Sequence, residues 1–363
     1  MRIVFVSYNY SPDIHSPDEW IKRIKFYVGW LECLAHEHEI IRVEQINYEG
    51  EFLHNGVKYY CVDAGKKKNY FPRKLNAFVK SLDPDIVFVS SFLFPLQLLQ
   101  LRQCLGNKVK IIVQHHAEKP FTGVKKWLQK LASLKTDAGI FASKDIADDW
   151  VKKGNLSQHI KLFEIVGGTS VFFPMDREAA RLKTGVTGSQ VYLWVGRLNE
   201  NKDPLTAVKA FLKFSSIAAA AKLYMVYQTD DLLPEIKLLL SQNEHDNRVI
   251  LVGKIQHADL LYWFNSADFF LSASHYEGSG TALCEALSCG CIPIVTNIPS
   301  FRMISGNSGL LYEPGNESEL LAALQNSVSL NSTERRNNIR EYFKKELSFE
   351  AIAEKFKNVF SSL

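Results

Sequence analysis

Two glutamates flank a glycine-rich turn in one stretch of the chain, residues 275–290, which reads HYEGSGTALCEALSCG. Glu277 precedes the turn, and Glu285 lies eight positions later, in a segment with the pattern of a helix that stops at Gly290. Gly278 and Gly280 allow close backbone approach where this helix begins. Free N–H groups and the helix dipole favour an anion at such a start. The spacing therefore predicts an anion site with a carboxylate on either side.

The two carboxylates suit a ligand that carries hydroxyl groups on both sides of its phosphates. Glu285 lies about 6 Å along the helix axis from Thr281, at about 1.5 Å per residue. It can reach a hydroxyl-bearing group attached to a phosphate at the helix start, and Glu277 can reach the opposite side. A nucleotide diphosphate sugar has this order of ribose, diphosphate and hexose. The alternative interpretation is a capped surface helix with two solvated acids.

A second candidate segment, YLWVGRLNENKDP, places two cations between a strand and a helix. Arg197 offers a planar fork that fits a phosphate, and Lys202 offers a point charge. Two fixed cations at the end of a strand can neutralise a leaving diphosphate without a metal ion. The alternative is a pair of surface cations on either side of a loop.

Two histidines follow a strand in the first half of the chain, in the segment KIIVQHHAEKP. A single histidine is usually structural, but the carboxyl end of a strand in an α/β sheet is a common place for ligand binding. We take His116 as the first candidate and His115 as the alternative.

The elements that must position these residues repeat in two halves. Short, near-continuously apolar runs alternate with helix-length segments before residue 167, and the pattern restarts at residue 191. Such runs are typical of parallel strands covered on both faces. The sequence predicts an α/β protein with two doubly wound, Rossmann-like parallel-sheet domains that face a cleft. The candidate residues follow strands, so they are expected to line that cleft.

Composition indicates an ordinary soluble protein. The chain has 363 residues, of which 46% are hydrophobic and 23% charged. Apolar runs stay below the roughly 18–20 residues that span a bilayer, and the start is too polar for a signal peptide. We expect a cytoplasmic protein. The six cysteines form no C-x-x-C pair, and no cluster has the spacing of metal ligands.

Positive charge is concentrated in the first half. Residues 1–170 carry 24 Lys and Arg against 18 Asp and Glu, a net of +6, whereas the remainder is at −2, with 19 against 21. A predicted helix at about 122–135 has an apolar stripe flanked by lysines, and Lys66, Lys67, Lys68, Arg73 and Lys74 add to the basic surface. One interpretation is a helix packed by its stripe onto the sheet. The other is an interfacial helix that binds the inner face of a membrane. The stripe comprises Val124, Trp127, Leu128, Leu131 and Leu134.

Several function classes are not indicated. The chain has neither a G-x-x-x-x-G-K-[ST] motif nor a G-x-G-x-x-G motif, which argues against an ordinary ATPase or a dinucleotide oxidoreductase. It has no G-x-S-x-G elbow of a serine hydrolase. The sequence pI of about 8.5 is modest, so nucleic acid is not an expected partner.

The segments EGSGTALCEAL and VGRLNENKDP resemble the E-x7-E and phosphate-binding segments of the retaining glycosyltransferases of family 4, which have the GT-B fold. Residues 83–91, 137–154 and 343–356 also resemble the family, so the likeness covers nearly the whole chain. It implies an acceptor-binding domain at 1–172, a nucleotide-sugar-binding domain at 173–345, and a last helix, 346–363, that returns to the first domain.

The resemblance also implies roles for the candidate residues. Arg197 and Lys202 bind the donor diphosphate, together with backbone N–H groups near Gly280 and Thr281. Glu285 binds the ribose, Glu277 contacts the donor sugar at the reacting centre, and His116 lies beside that sugar. No metal or other cofactor is expected.

The implied reaction transfers a sugar from a nucleotide diphosphate sugar to a hydroxyl acceptor with retention, in cell-surface polysaccharide or glycolipid biosynthesis. The acceptor could be a lipid-linked saccharide. Retention can arise by front-face substitution or through a covalent intermediate on Glu277. Two alternatives are a non-catalytic sugar-nucleotide-binding subunit and a nucleotide-sugar epimerase.

Overall fold

The chain divides into two compact units. The computed structural model describes residues 1–63, 70–116, 118–243 and 246–363. The first unit comprises Met1–Gly168 and Phe349–Leu363, and the second unit comprises Thr169–Ser348. The predicted divisions at 172 and 345 are a few residues away. Three residues of the predicted basic surface, Lys66, Lys67 and Lys68, lie outside the described residues.

The first unit is an α/β sheet with helices on both faces. Its strands are β1 (Arg2–Ser11), β2 (Glu39–Ile46), β3 (Gly50–His54), β4 (Val57–Val62), β5 (Ile86–Ser90), β6 (Lys110–Gln114), β7 (Ala138–Phe141) and β8 (Lys161–Glu164). Its helices are α1 (Pro17–Leu34), α2 (Arg73–Ser81), α3 (Pro95–Leu105), α4 (Gly123–Ser133), α5 (Lys144–Lys152) and α14 (Phe349–Ser361). The sheet order is β3-β4-β2-β1-β5-β6-β7-β8. Every pair is parallel except β3 with β4.

Apolar side chains form a core on each face of this sheet. Along β1 they alternate, so that Val4 and Val6 belong to one core while Ile3 and Phe5 belong to the other. Helices α2 to α5 cover the first core, and α1 and α14 cover the second. The rings of Trp30 on α1 and Phe356 on α14 stack with centroids 4.1 Å apart. The last helix thus completes the core of the first unit.

The second unit is a six-stranded, fully parallel sheet. Its strands are β9 (Gln190–Gly196), β10 (Ala221–Tyr227), β11 (Val249–Gly253), β12 (Phe269–Ser272), β13 (Ile292–Thr296) and β14 (Leu310–Tyr312), in the order β11-β10-β9-β12-β13-β14. Its helices are α6 (Arg177–Thr184), α7 (Pro204–Ile217), α8 (Leu233–Ser241), α9 (Leu260–Ser266), α10 (Thr281–Cys289), α11 (Pro299–Ser305), α12 (Glu317–Ser327) and α13 (Thr333–Glu346). The strand order reverses between β9 and β12. Open α/β sheets bind ligands beyond the strand ends at such a point.

The apolar stripe of α4 is mostly exposed, with Leu128 and Leu131 half-buried, so the interpretation of a helix packed by this stripe onto the sheet is wrong. The side chains of Val124, Trp127 and Leu134 are 78%, 60% and 52% exposed. The residues that α4 buries are instead Gln129, Ala132 and Ser133.

A buried amide network sets this rotation of α4. Gln129 Oε1 accepts hydrogen bonds from the backbone N–H of Phe121 at 3.0 Å and from Asn155 Nδ2 at 2.7 Å. Gln129 Nε2 donates to the carbonyl of Phe92 at 3.0 Å. A buried amide without partners costs about 1–3 kcal/mol, and these partners remove that cost, so Gln129 can face inward while larger apolar residues of α4 face outward.

Candidate functional site

The two motifs of the second unit meet where its strand order reverses. Residues 197–203 follow β9, and residues 273–280 follow the adjacent strand β12. Two hydrogen bonds join these loops: His275 N–H donates to the carbonyl of Asn201 at 2.8 Å, and Asn201 Nδ2 donates to the carbonyl of Tyr276 at 3.0 Å. The loops thus form one surface at the carboxyl edge of the sheet.

A cavity of about 190 Å³ opens on this surface. Polar groups line it from both loops and from the start of α10, and Phe270 and Phe301 add apolar walls. Four residues predicted from sequence lie around it, namely Lys202, Glu277, Gly280 and Thr281. The cavity therefore combines a cation, a carboxylate and a helix start.

Lys202 and Glu277 form an ion pair inside the cavity. Lys202 Nζ contacts Glu277 Oε1, and the buried Ser274 hydroxyl donates to the same oxygen at 2.8 Å. On the backbone side, Asn199 Oδ1 accepts from the N–H of Lys202 at 3.1 Å. Because both ends of Lys202 are fixed, its ammonium group is oriented before any ligand arrives.

The residue after Lys202 adopts a backbone conformation that is uncommon for a residue with a side chain. Asp203 has φ +42°, in the left-handed region. It caps α7 by accepting from the N–H of Thr206 at 3.2 Å, and its other oxygen lies 3.2 Å from His275 Nε2. Strained residues of this kind concentrate at functional sites, where the surroundings hold them.

Gly280 gives α10 an open start. Its φ of +56° is left-handed, and a Cβ atom there would come within 2.5 Å of Ile304 Cδ1. A larger residue would therefore push into α11. As the N-cap residue, glycine also has no side chain to accept a hydrogen bond from the first turn. The first N–H groups of α10 remain available to an anion. Gly278 is buried in the preceding loop.

Glu285 is buried on α10 and is not a solvated surface acid. It is 3% exposed, and its Oε1 lies 2.6 Å from His257 Nε2. Burial raises the pKa of Glu285, and the nearby imidazole of His257 opposes that rise. The interpretation of α10 as a surface helix with two solvated acids is therefore wrong.

Arg197 lies apart from the cavity. It follows β9, is exposed, and is not among the described residues that line the cavity. Of the two predicted cations, Lys202 thus lies in the cavity, whereas Arg197 is exposed outside its lining.

The two candidate histidines of the first unit, His115 and His116, differ in exposure. His115 is buried, its Nε2 lies 2.9 Å from the carbonyl of Glu118, and its ring stacks on Phe141. Burial lowers the pKa of His115. His116 is exposed, and its backbone N–H donates to Glu118 Oε2 at 2.5 Å. Between the two candidates, His116 is the one whose ring can meet a ligand.

Sequence reasoning missed two residues that organise these sites. Glu118 accepts hydrogen bonds from the loops after β5 and β6, including the N–H of Phe92 at 2.7 Å. His257 follows β11 and contacts Glu285. Both lie beyond the carboxyl ends of strands, so the rule that selected the other candidates could have found them.

Structures of known proteins share this fold along the whole chain. Sucrose-phosphate synthase of Thermosynechococcus elongatus is 17% identical with a TM-score of 0.72, covering 99% of this chain and 98% of its own. HepE of Anabaena in complex with UDP is 14% identical with a TM-score of 0.73, covering 100% of both chains. The fold is that of the GT-B glycosyltransferases.

Sequence comparison adds a family to the fold. Residues 176–346 match the family described as Glycosyl transferases group 1, so the second unit carries a domain of that family. The O-antigen chain mannosyltransferase B of Escherichia coli is 28% identical over 90 residues, which are 25% of this chain and 24% of that protein. A GDP-mannose:cellobiosyl-diphosphopolyprenol alpha-mannosyltransferase of Xanthomonas oryzae pv. oryzae is 28% identical over 129 residues, 34% of this chain and 33% of that protein. The aligned segments span about a quarter to a third of these relatives.

Proposed function

We propose that the protein is a retaining glycosyltransferase of family 4 that moves a sugar from a nucleotide diphosphate sugar to a hydroxyl acceptor. The observation that carries this proposal is the cavity shared by Lys202, Glu277 and the open start of α10. A diphosphate needs fixed positive charge and N–H donors, and a sugar needs a hydrogen-bond acceptor. The group 1 domain and the GT-B fold support the proposal.

Each candidate residue has a role in this proposal. Lys202, Arg197 and the N–H groups at Gly280 and Thr281 bind the diphosphate. Glu277 contacts the donor sugar, and Glu285 binds the ribose. The remaining candidates are Gly278, which lets the backbone approach the phosphates, and His116, which we propose as the contribution of the first unit to the donor sugar.

Catalysis in this scheme rests on electrostatics and orientation. A nucleoside diphosphate is already a good leaving group, so the protein must orient the donor and stabilise the departing charge. The Lys202 ammonium group contacts Glu277, whose carboxylate also accepts from Ser274, and Asn199 fixes the backbone of Lys202, so the group needs little reorganisation. Preorganised charge of this kind lowers the barrier more than a mobile group does.

Product analysis tests the reaction class. The protein is incubated with a nucleotide sugar and a hydroxyl acceptor, and the anomeric configuration of the product is read by nuclear magnetic resonance. We expect a glycoside with the configuration of the donor. An inverted glycoside would contradict retention. An epimerised nucleotide sugar formed without acceptor would indicate an epimerase, and binding without turnover would indicate a non-catalytic subunit.

Sugar transfer is expected to need no metal ion. Lys202, Arg197 and the start of α10 supply the positive potential that a divalent cation provides elsewhere. No group of three or more His, Cys, Asp or Glu side chains in the described part of the chain could hold a metal ion. We expect the transfer rate to be the same in EDTA as in magnesium or manganese. Loss of activity in EDTA that either metal restores would contradict this expectation.

We further propose a lipid-linked saccharide acceptor at the inner face of a membrane, in cell-surface polysaccharide or glycolipid biosynthesis. The outward apolar stripe of α4 supports this proposal, because Val124, Trp127 and Leu134 are exposed beside exposed lysines. Helices α2, α3 and α4 are neighbours in one layer, so Arg73 and Lys74 on α2 extend the basic surface. The name of the Xanthomonas relative includes a diphosphopolyprenol-linked cellobiosyl group. No helix in the described residues is long and apolar enough to cross a bilayer.

Co-sedimentation with phosphatidylglycerol vesicles tests the membrane contact. Each basic residue near an anionic surface contributes about 1 kcal/mol, so binding should occur at low salt and weaken at high salt. Burial of a large apolar side chain contributes about 1.5–3 kcal/mol, so Trp127→Ala should weaken binding on the order of tenfold. Leu182→Ala, at an 88% exposed position of the second unit, is the matched control and should have no effect. Absence of wild-type binding at low salt would remove the membrane from the proposal.

A further inference from the structure

Glu285 already has a side-chain partner before any nucleotide binds. His257 Nε2 lies 2.6 Å from Glu285 Oε1, within hydrogen-bonding distance. The two side chains differ in access to solvent, with 31% of the His257 side chain exposed and 4% of that of Glu285. His257 therefore lies between the buried carboxylate and the surface of the second unit.

The surroundings of His257 fix the orientation of its ring. The residue begins a short 3-10 turn, His257–Asp259, that leads into α9. Its imidazole stacks on the ring of Phe172, with centroids 5.2 Å apart and an angle of 29° between the planes. Phe172 is itself buried and packs against Phe264 on α9. Because one face of the imidazole is covered, the ring cannot rotate freely away from Glu285.

A carboxylate that binds ribose hydroxyls must be ionised and correctly aimed. Burial of Glu285 disfavours its charged form and so raises its pKa, and His257 opposes that effect. An ionised carboxylate offers about four acceptor positions, so one bond to an imidazole leaves room for two hydroxyl groups. An imidazole that donates to one carboxylate oxygen also keeps the Glu285 side chain from adopting other rotamers.

We propose that His257 is a positioning residue for nucleotide recognition, which holds Glu285 as an oriented acceptor for the ribose hydroxyls of the donor. This inference rests on the proposed function, because it assigns Glu285 to the ribose. His257 acts through Glu285 and has no role in the chemical step. Its removal changes which nucleotides bind and spares the binding of phosphate.

Calorimetry with paired ligands tests this role. UDP and GDP are compared first, and the 2′,3′-dideoxy form of the tighter binder is the matched probe. Charge-assisted hydrogen bonds contribute about 1.5–3 kcal/mol, so the wild type should prefer the ribonucleotide roughly ten- to hundredfold. Glu285→Gln should remove most of this preference. In His257→Leu and His257→Ala, the two ligands should bind with affinities within about threefold of each other. His257→Gln, which keeps a hydrogen-bond donor, should retain the preference for the ribonucleotide.

The outcomes separate this inference from the proposed function. If the preference for the ribonucleotide is lost in His257→Leu and His257→Ala but kept in His257→Gln, the positioning role is supported. A merely structural role would reduce the affinities for both ligands equally. An unchanged preference in both donor-free variants overturns the inference and leaves the proposed function standing. Equal binding of the two ligands by the wild type overturns the ribose role of Glu285 and the inference with it. Absence of binding by the wild type overturns the proposed function as well.

Discussion

Glu277→Ala is expected to reduce kcat for sugar transfer on the order of a hundred- to a thousandfold, the usual cost of removing one preorganised group at a reacting centre. The affinity for the free nucleoside diphosphate should stay the same or increase. Glu277 forms an ion pair with Lys202 in the cavity, so removal of the Glu277 carboxylate leaves the ammonium group available to the phosphates. Transfer assays and calorimetry on the same variant measure both effects.

Glu285→Ala, in the helix that follows Glu277, should produce the opposite pattern. The substitution should reduce the affinity for the free nucleoside diphosphate roughly ten- to hundredfold, because the ribose that Glu285 binds is part of the free nucleotide. Glu235→Ala, an exposed glutamate of α8, is the neutral control. If Glu277→Ala reduced the affinity for the free nucleotide and Glu285→Ala affected sugar transfer alone, the donor-sugar and ribose assignments of the two glutamates would have to be exchanged. No effect from either variant would remove them.

Lys202→Ala is expected to reduce nucleoside diphosphate affinity about ten- to hundredfold, from charge-assisted bonds of about 1.5–3 kcal/mol. The kcat/KM for sugar transfer should fall by a larger factor than the affinity, because the negative charge on the leaving phosphate grows in the transition state. The substitution also leaves Glu277 beside the phosphates without its cation. The Kd and kcat/KM of the variant report these two effects.

Arg197→Ala should produce a smaller loss of the same kind, since Arg197 is exposed and does not line the cavity in the described residues. Lys209→Ala is the matched control, because Lys209 is an exposed lysine on α7, the helix that follows the Lys202 loop. The diphosphate assignment fails if Lys202→Ala and Arg197→Ala both leave affinity and turnover at wild-type values.

Local patterns were sufficient to predict the strands and the loops that carry the site. Parallel strands buried on both faces are continuously apolar, and β9 and β12 show this clearly. Because both strands end at the same edge, the polar residues that follow them had to lie together. The contact of Lys202 with Glu277 is the result, although the two residues are 75 positions apart.

The orientation of α4 could not be predicted from its periodicity. The apolar stripe through Trp127 was compatible with packing onto the sheet and with an interfacial helix, and the structure buries Gln129. The partners that satisfy this amide come from Phe92, Phe121 and Asn155, and Phe92 and Asn155 are distant in sequence. Helical periodicity carries no information on such partners, so it identified the stripe but not the side it faces.

Two other features were missed for different reasons. Strand β3 is a short edge strand that pairs with β4 through the turn Asn55–Gly56, where φ is +46° and +81°. The dipeptide Asn-Gly is a strong hairpin signal, so the sequence did contain the information needed to predict this strand. The contact between His257 and Glu285 had no local signal, because it depends on how the loop after β11 packs against α10.

Thermal unfolding with a panel of nucleotide diphosphate sugars in EDTA tests the central claim most directly. A ligand at about 100 times its Kd stabilises the folded state by about 2.7 kcal/mol, which raises Tm by several degrees. We predict that at least one nucleotide sugar stabilises the wild type to this extent and that Lys202→Ala reduces the shift, while Lys209→Ala preserves it. If no member of the panel raises Tm, or if Lys202→Ala responds like the wild type, the cavity between β9 and β12 is not a donor site.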